Sequence, residues 1–83
     1  MSPSKAAAGR ELFVRHARKD GRSVAILRAV DRGDACLVHA EAFPMGGETS
    51  VPVGPYTFPS TADASAFVTE AVEALMYLGC DVQ

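Results

Sequence analysis

His16, Cys36, His39 and Cys80 are the side chains of this sequence with the atom types that hold a transition metal. A compact zinc site takes its ligands in close pairs, C-x-x-C or two histidines a helical turn apart, so that one loop presents two at once. No such pair occurs here, and strand alternation sends Cys36 and His39 to opposite faces of a sheet. They read as buried thiols and ordinary histidines, with no metal and no cofactor implied. Met45-Gly46-Gly47-Glu48-Thr49-Ser50 is glycine-rich, but it lacks the Gly-Lys-Ser/Thr ending and the following helix of a phosphate cradle. Glu48 stands where a cation is needed, so the segment reads as a loop. Arg32-Gly33-Asp34 spells an adhesion tripeptide, yet a tight turn explains it without a receptor. No Ser, His and Asp pattern carries a hydrolase signature, and one small sheet with one helix leaves little room for an enzyme cavity. The expectation is no catalytic residue and a non-enzyme.

What remains is charge. Residues 15–23, RHARKDGRS, crowd Arg15, Arg18, Lys19 and Arg22 around Asp20-Gly21. Residues 1–32 hold all eight basic side chains and three acidic ones, a net of +5, whereas residues 33–83 hold seven acidic and no basic ones, a net of −7. The total of −2 hides that division. A divided map of this kind fits an anionic partner, complementary faces between subunits, or pairing of basic strands with an acidic helix inside one chain.

Eighty-three residues make one domain, and so short a chain buries only roughly 60–65% of its unfolded surface. Two cysteines and no apolar leader point to a reducing, cytoplasmic setting. No apolar run approaches the ~20 residues of a membrane span. Residues 1–10 read as a disordered tail and 11–83 as the domain.

Within the domain, residues 11–17 and 23–30 carry the β-branched and aromatic content of strands, and Asp20-Gly21 between them is a type I′ hairpin turn. Asp31 to Asp34 make the next turn, and residues 35–43 a third strand. Residues 44–55 read as a loop by their prolines and glycines. Ser50 to Val53 can form a short edge strand, where Pro52 is tolerated, and Tyr56 to Phe58 a last short strand. Ser60 or Thr61 caps a helix whose stripe is Ala64, Phe67, Val68, Ala71, Leu75 and Leu78. Gly79 closes it, and Cys80 or Val82 folds back over the last turn. The fold class is α+β: a three- to four-stranded antiparallel meander with one C-terminal helix on one face. This order of elements is similar in topology to the Whirly-type single-strand-binding fold, a resemblance that implies nucleic-acid binding by the sheet and carries over no residue roles.

Alternation divides the strands into two faces. Leu12, Val14 and His16 with Ala25, Leu27, Ala29, Cys36, Val38, Ala40 and Ala42 form an apolar face of mostly small residues for the helix. Phe13 and Arg15, with Val24, Ile26, Arg28, Leu37, His39, Glu41 and Phe43, form a mixed outer face. One helix covers one face, so Phe13, Val24, Ile26, Leu37 and Phe43 are expected to form an exposed apolar patch of the kind that marks an interface, here in a homodimer. Cations for phosphates and an aromatic for stacking on the same face fit single-stranded nucleic acid, with Phe13, Arg15, Arg18, Lys19, Arg22, Arg28 and His39 as the contacting set. The function expected is therefore a self-associating binding module that presents a basic hairpin to an anionic partner. The alternative is a purely structural protein–protein domain.

Overall fold

The computed structural model describes residues 9–44 and 49–83. Its elements are β1 (Arg10–Lys19), β2 (Arg22–Asp31), β3 (Cys36–Ala42), β4 (Val51–Phe58), α1 (Thr61–Tyr77) and β5 (Asp81–Val82). The sheet is antiparallel in the order β4-β3-β2-β1-β5, and α1 packs on one face of it. The class is α+β, with five strands where three or four are expected from the sequence. Arg10 already belongs to β1, so the strand starts inside the segment read as tail. The glycine-rich stretch Met45 to Glu48 lies outside the described residues, as do residues 1–8.

The hairpin forms as its turn residues require. Asp20 (φ 53°) and Gly21 (φ 78°) are both left-handed, the pair of values that a type I′ turn needs to match the twist of its strands. Asp31 to Ala35 form the second turn, with Arg32 N–H donating to Ala35 C=O at 2.8 Å and Gly33 N–H to Asp31 Oδ1 at 2.8 Å.

β4 corrects the loop assigned to residues 44–55. It is one edge strand of eight residues that carries both Pro52 and Pro55. A proline cannot donate to a ladder, but an edge strand bonds on one side only. A register shift between Val38 and Ala40 sets two residues of β4, Gly54 and Pro55, against His39 alone.

Ser60 caps α1: its backbone is extended and its Oγ accepts from Asp63 N–H at 3.1 Å. At the other end Gly79 (φ 95°) turns the chain, Gly79 N–H donating to Met76 C=O at 2.9 Å and Cys80 N–H to Leu75 C=O at 3.0 Å. That pair of bonds is a Schellman motif, and it tucks Cys80 inward beneath Leu75. Of the two residues that could fold back over the last turn, it is Cys80 that does so, not Val82. Val82 continues as β5 and pairs with Ala17. Leu78 is the C-cap and 63% exposed, so the buried stripe of α1 ends at Leu75.

The core is Leu27, Ala29, Cys36, Val38, Ala64 and Val68, ringed by half-buried Leu12, Phe13, Phe58, Phe67 and Leu75. Small residues on the sheet let the helix approach, and Phe67 lies between Tyr56 and Phe58 at ring distances of 5.0 and 5.1 Å. The largest fully buried side chain is a valine, Val38, so few methylenes carry the stability. Leu27→Ala should cost about 2–5 kcal/mol, and Ser60→Ala about 1 kcal/mol through the lost cap. Urea unfolding followed by circular dichroism measures both.

Candidate binding surfaces

The face of β1 is the main correction to the sequence-based division. β1 pairs with β2 as Phe13↔Ala29, Arg15↔Leu27 and Ala17↔Ala25, which puts Phe13, Arg15 and Ala17 on the helix side. Val14↔Arg28 and His16↔Ile26 put Val14 and His16 on the outer face, the reverse of expectation. The physical reason lies at Ala17 and His16. Turning His16 inward would bury an imidazole among apolar groups, whereas Ala17 fits there at 1% exposure. A bulge between Glu11 and Phe13 then lets Leu12 and Phe13 both pack against the core, and swings Glu11 outward opposite Val30.

The seven residues expected to meet a partner accordingly fall into three places. Arg28 and His39 are direct cross-strand neighbours on the outer face. They line a shallow cleft of about 510 Å³ where β4 bulges, together with Val30, Glu41, Pro52 and Pro55. Arg28 Nε lies 3.0 Å from Glu11 Oε1, off-axis for a hydrogen bond, so the two form an ion pair only. Phe13 and Arg15 sit on the other side of the sheet, with the Arg15 guanidinium 5.2 Å from the Phe13 ring centre.

Arg18, Lys19 and Arg22 stay at the hairpin tip, where Lys19 and Arg22 stand directly opposite each other. Two like charges in that position repel. Lys19 escapes by reaching across to the end of α1, where Nζ donates to Leu78 C=O at 3.0 Å. A cation there also meets the negative end of the helix dipole. Arg18 Nη2 lies 3.5 Å from His16 Nδ1, and His16 Nε2 lies 2.8 Å from Ser23 Oγ.

Of the residues expected in an oligomer interface, Ile26 and Leu37 lie on the outer face, and Phe43 N–H closes the ladder onto Val24 C=O at 2.9 Å. These four are half-buried, and no described element covers them. Phe13 lies behind them. Val14 takes its place, a residue the sequence division assigns to the core side. Met76 and Tyr77 (58% and 93% exposed) add an apolar corner beside the Lys19–Leu78 contact. No sequence signal marks them, because they end a helix whose earlier turns are packed.

Cys36 and Cys80 are buried free thiols, and Cys36 Sγ is 3.4 Å from Thr61 Oγ1. Among the described residues no three His, Cys, Asp or Glu side chains are grouped to hold a metal ion. None of the described helices is long and apolar enough to cross a membrane. No protein family, no curated protein and no solved structure gives a significant match to this chain.

Lys19→Gln should remove the charge at the end of α1 and lower stability by about 0.3–1 kcal/mol at low salt. The difference from the unmodified protein should shrink as salt rises, read from melting temperatures at two ionic strengths.

Proposed function

We propose that this chain is a small non-enzymatic binding module of the cytoplasm. It pairs with a second copy through the outer sheet face and offers the hairpin to an anionic partner, single-stranded nucleic acid in the most specific form of the reading. The observation that carries it is the outer face, which no described element covers and on which Val14, Ile26 and Leu37 stand in successive rows of three adjacent strands, with Arg28 and His39 between Ile26 and Leu37. A core this small gains from a partner that covers such a face. The charge map supports the second half. Arg18 and Arg22 have no carboxylate within 4.0 Å among the described residues, so their charge is available at the tip, whereas Lys19 is turned to the Leu78 carbonyl. Arg28 and His39 lie farther along the same sheet, and Arg28 is already ion-paired.

The alternative, a purely structural protein–protein domain, gains weight from the loss of Phe13 as an exposed stacking aromatic. Fluorescence anisotropy with a labelled oligothymidylate separates the two. The nucleic-acid reading predicts affinity that falls with salt by a slope of roughly 0.7 per phosphate contact, and Arg22→Ala should lower that slope by about one contact. Absence of binding at low salt leaves the structural reading. Light scattering tests the shared half: the unmodified chain should be dimeric, and Ile26→Asp monomeric with its fold intact by circular dichroism.

A further inference from the structure

β1 is ten residues long, and among the described residues its outer edge is paired only at His16, Ala17 and Arg18. β5 takes Ala17 and Arg18, and His16 exchanges two backbone bonds with Gln83 at 3.1 Å each. Backbone direction alternates along a strand, so Val14, two residues before His16, turns its N–H and C=O to the same side. Among the described residues no strand meets them there, and the Val14 carbonyl finds only the Arg15 guanidinium, at 3.4 Å. The opposite edge of the sheet is guarded by Pro52 and Pro55, which have no N–H to offer, whereas the exposed stretch of β1 has no proline.

A groove of about 190 Å³ runs beside this open edge, between β1 and α1. Phe13, Val68 and Val72 give it an apolar lining, with room for one valine- or leucine-sized side chain, and Arg15 and Glu73 stand at its rim. Arg15 lies over the Phe13 ring without a carboxylate within 4.0 Å among the described residues, although Glu73 shares the groove. Unpaired backbone groups beside a side-chain pocket are the two parts of recognition by strand addition: the main chain supplies affinity, and alternate side chains supply specificity.

We infer that the open edge of β1 accepts an extended segment of a partner protein, with one apolar side chain in the Phe13–Val68–Val72 groove and an acidic one against Arg15. Phe13 and Arg15 are two residues apart on one face, so the partner's two side chains are also two apart. β1 is antiparallel to both of its neighbours, and an antiparallel guest presents acidic-x-apolar in chain order. This site is separate from the outer face and the hairpin, so it does not depend on the function proposed above.

The probe is a blocked heptapeptide, acetyl-Thr-Thr-Asp-Thr-Val-Thr-Thr-amide, titrated into the ¹⁵N-labelled chain. Saturable shift changes are expected at the amides of residues 11–15 and on the groove side of α1. A peptide with Lys in place of Asp should bind roughly five-fold more weakly, the effect of one exposed charge pair. Val14→Pro removes the outward donor without touching the β2 ladder and should abolish binding. Should that variant fail to fold, Arg15→Glu carries the test, because it should reverse the preference in favour of the Lys peptide. The inference is overturned if no saturable change occurs, if shifts map to Ile26 and Leu37 or to the hairpin, or if Arg15→Glu leaves the preference unchanged. It is equally overturned if light scattering shows a dimer in which the peptide-free Val14 amide is already protected from exchange, which would make a second copy the occupant.

Discussion

The contact of α1 with Leu27, Ala29, Cys36 and Val38 sets the terms for the whole domain. A single helix of this length lies on one face of a five-stranded sheet and leaves the other without a covering element among the described residues. Alanines and a cysteine on the sheet bring the helix close, and the aromatic group of Tyr56, Phe58 and Phe67 anchors its first half to the β4 edge. Its second half is fixed by the Schellman turn at Gly79, by Lys19 on the Leu78 carbonyl and by β5 on β1. Each of those ties recruits a residue that could otherwise have faced solvent. Lys19 is the clearest case, since a side chain of the basic hairpin also serves as a helix cap.

The division of charge along the chain is not resolved by pairing strands with helix. The two ion pairs among the described residues, Arg10 with Asp31 and Arg28 with Glu11, both lie within the basic half of the sequence. Asp63, Glu70 and Glu73 on α1 make none with the strands among those residues, so the helix and the hairpin keep opposite fields at separate places on the surface. Such a surface favours partners that meet it with matching charge, and steers their approach more than it tightens their grip.

The hairpin, the helix and both helix caps are legible in the sequence because short-range chemistry decides them: Asp20-Gly21 for the turn, Ser60 for the start and Gly79 for the stop. The face of β1 is not legible in that way. Leu12, Val14 and His16 alternate as well as Phe13, Arg15 and Ala17, and only tertiary packing shows that an alanine fits against the core better than an imidazole. A bulge that lets adjacent Leu12 and Phe13 both reach the core defeats any strict period of two. β4 is legible in two pieces, the edge segment with Pro52 and the short strand at Tyr56 to Phe58, but Gly54 and Pro55 hide that they are one strand. β5 is two residues long and exists because the helix stop delivers it to β1. The candidate site inherits these limits: Arg18 and Arg22 lie at the tip and Lys19 turns to the end of α1, while Phe13 and Arg15 belong to the groove behind the sheet.

The central claim is that a second copy covers the outer face. Its most direct test is an isotope-filtered NOE experiment on an equimolar mixture of ¹³C-labelled and unlabelled chains. Intermolecular NOEs to the methyl groups of Val14, Ile26 and Leu37 are predicted. Their absence, or their appearance instead at Val68 and Val72 on the helix side, would contradict the account.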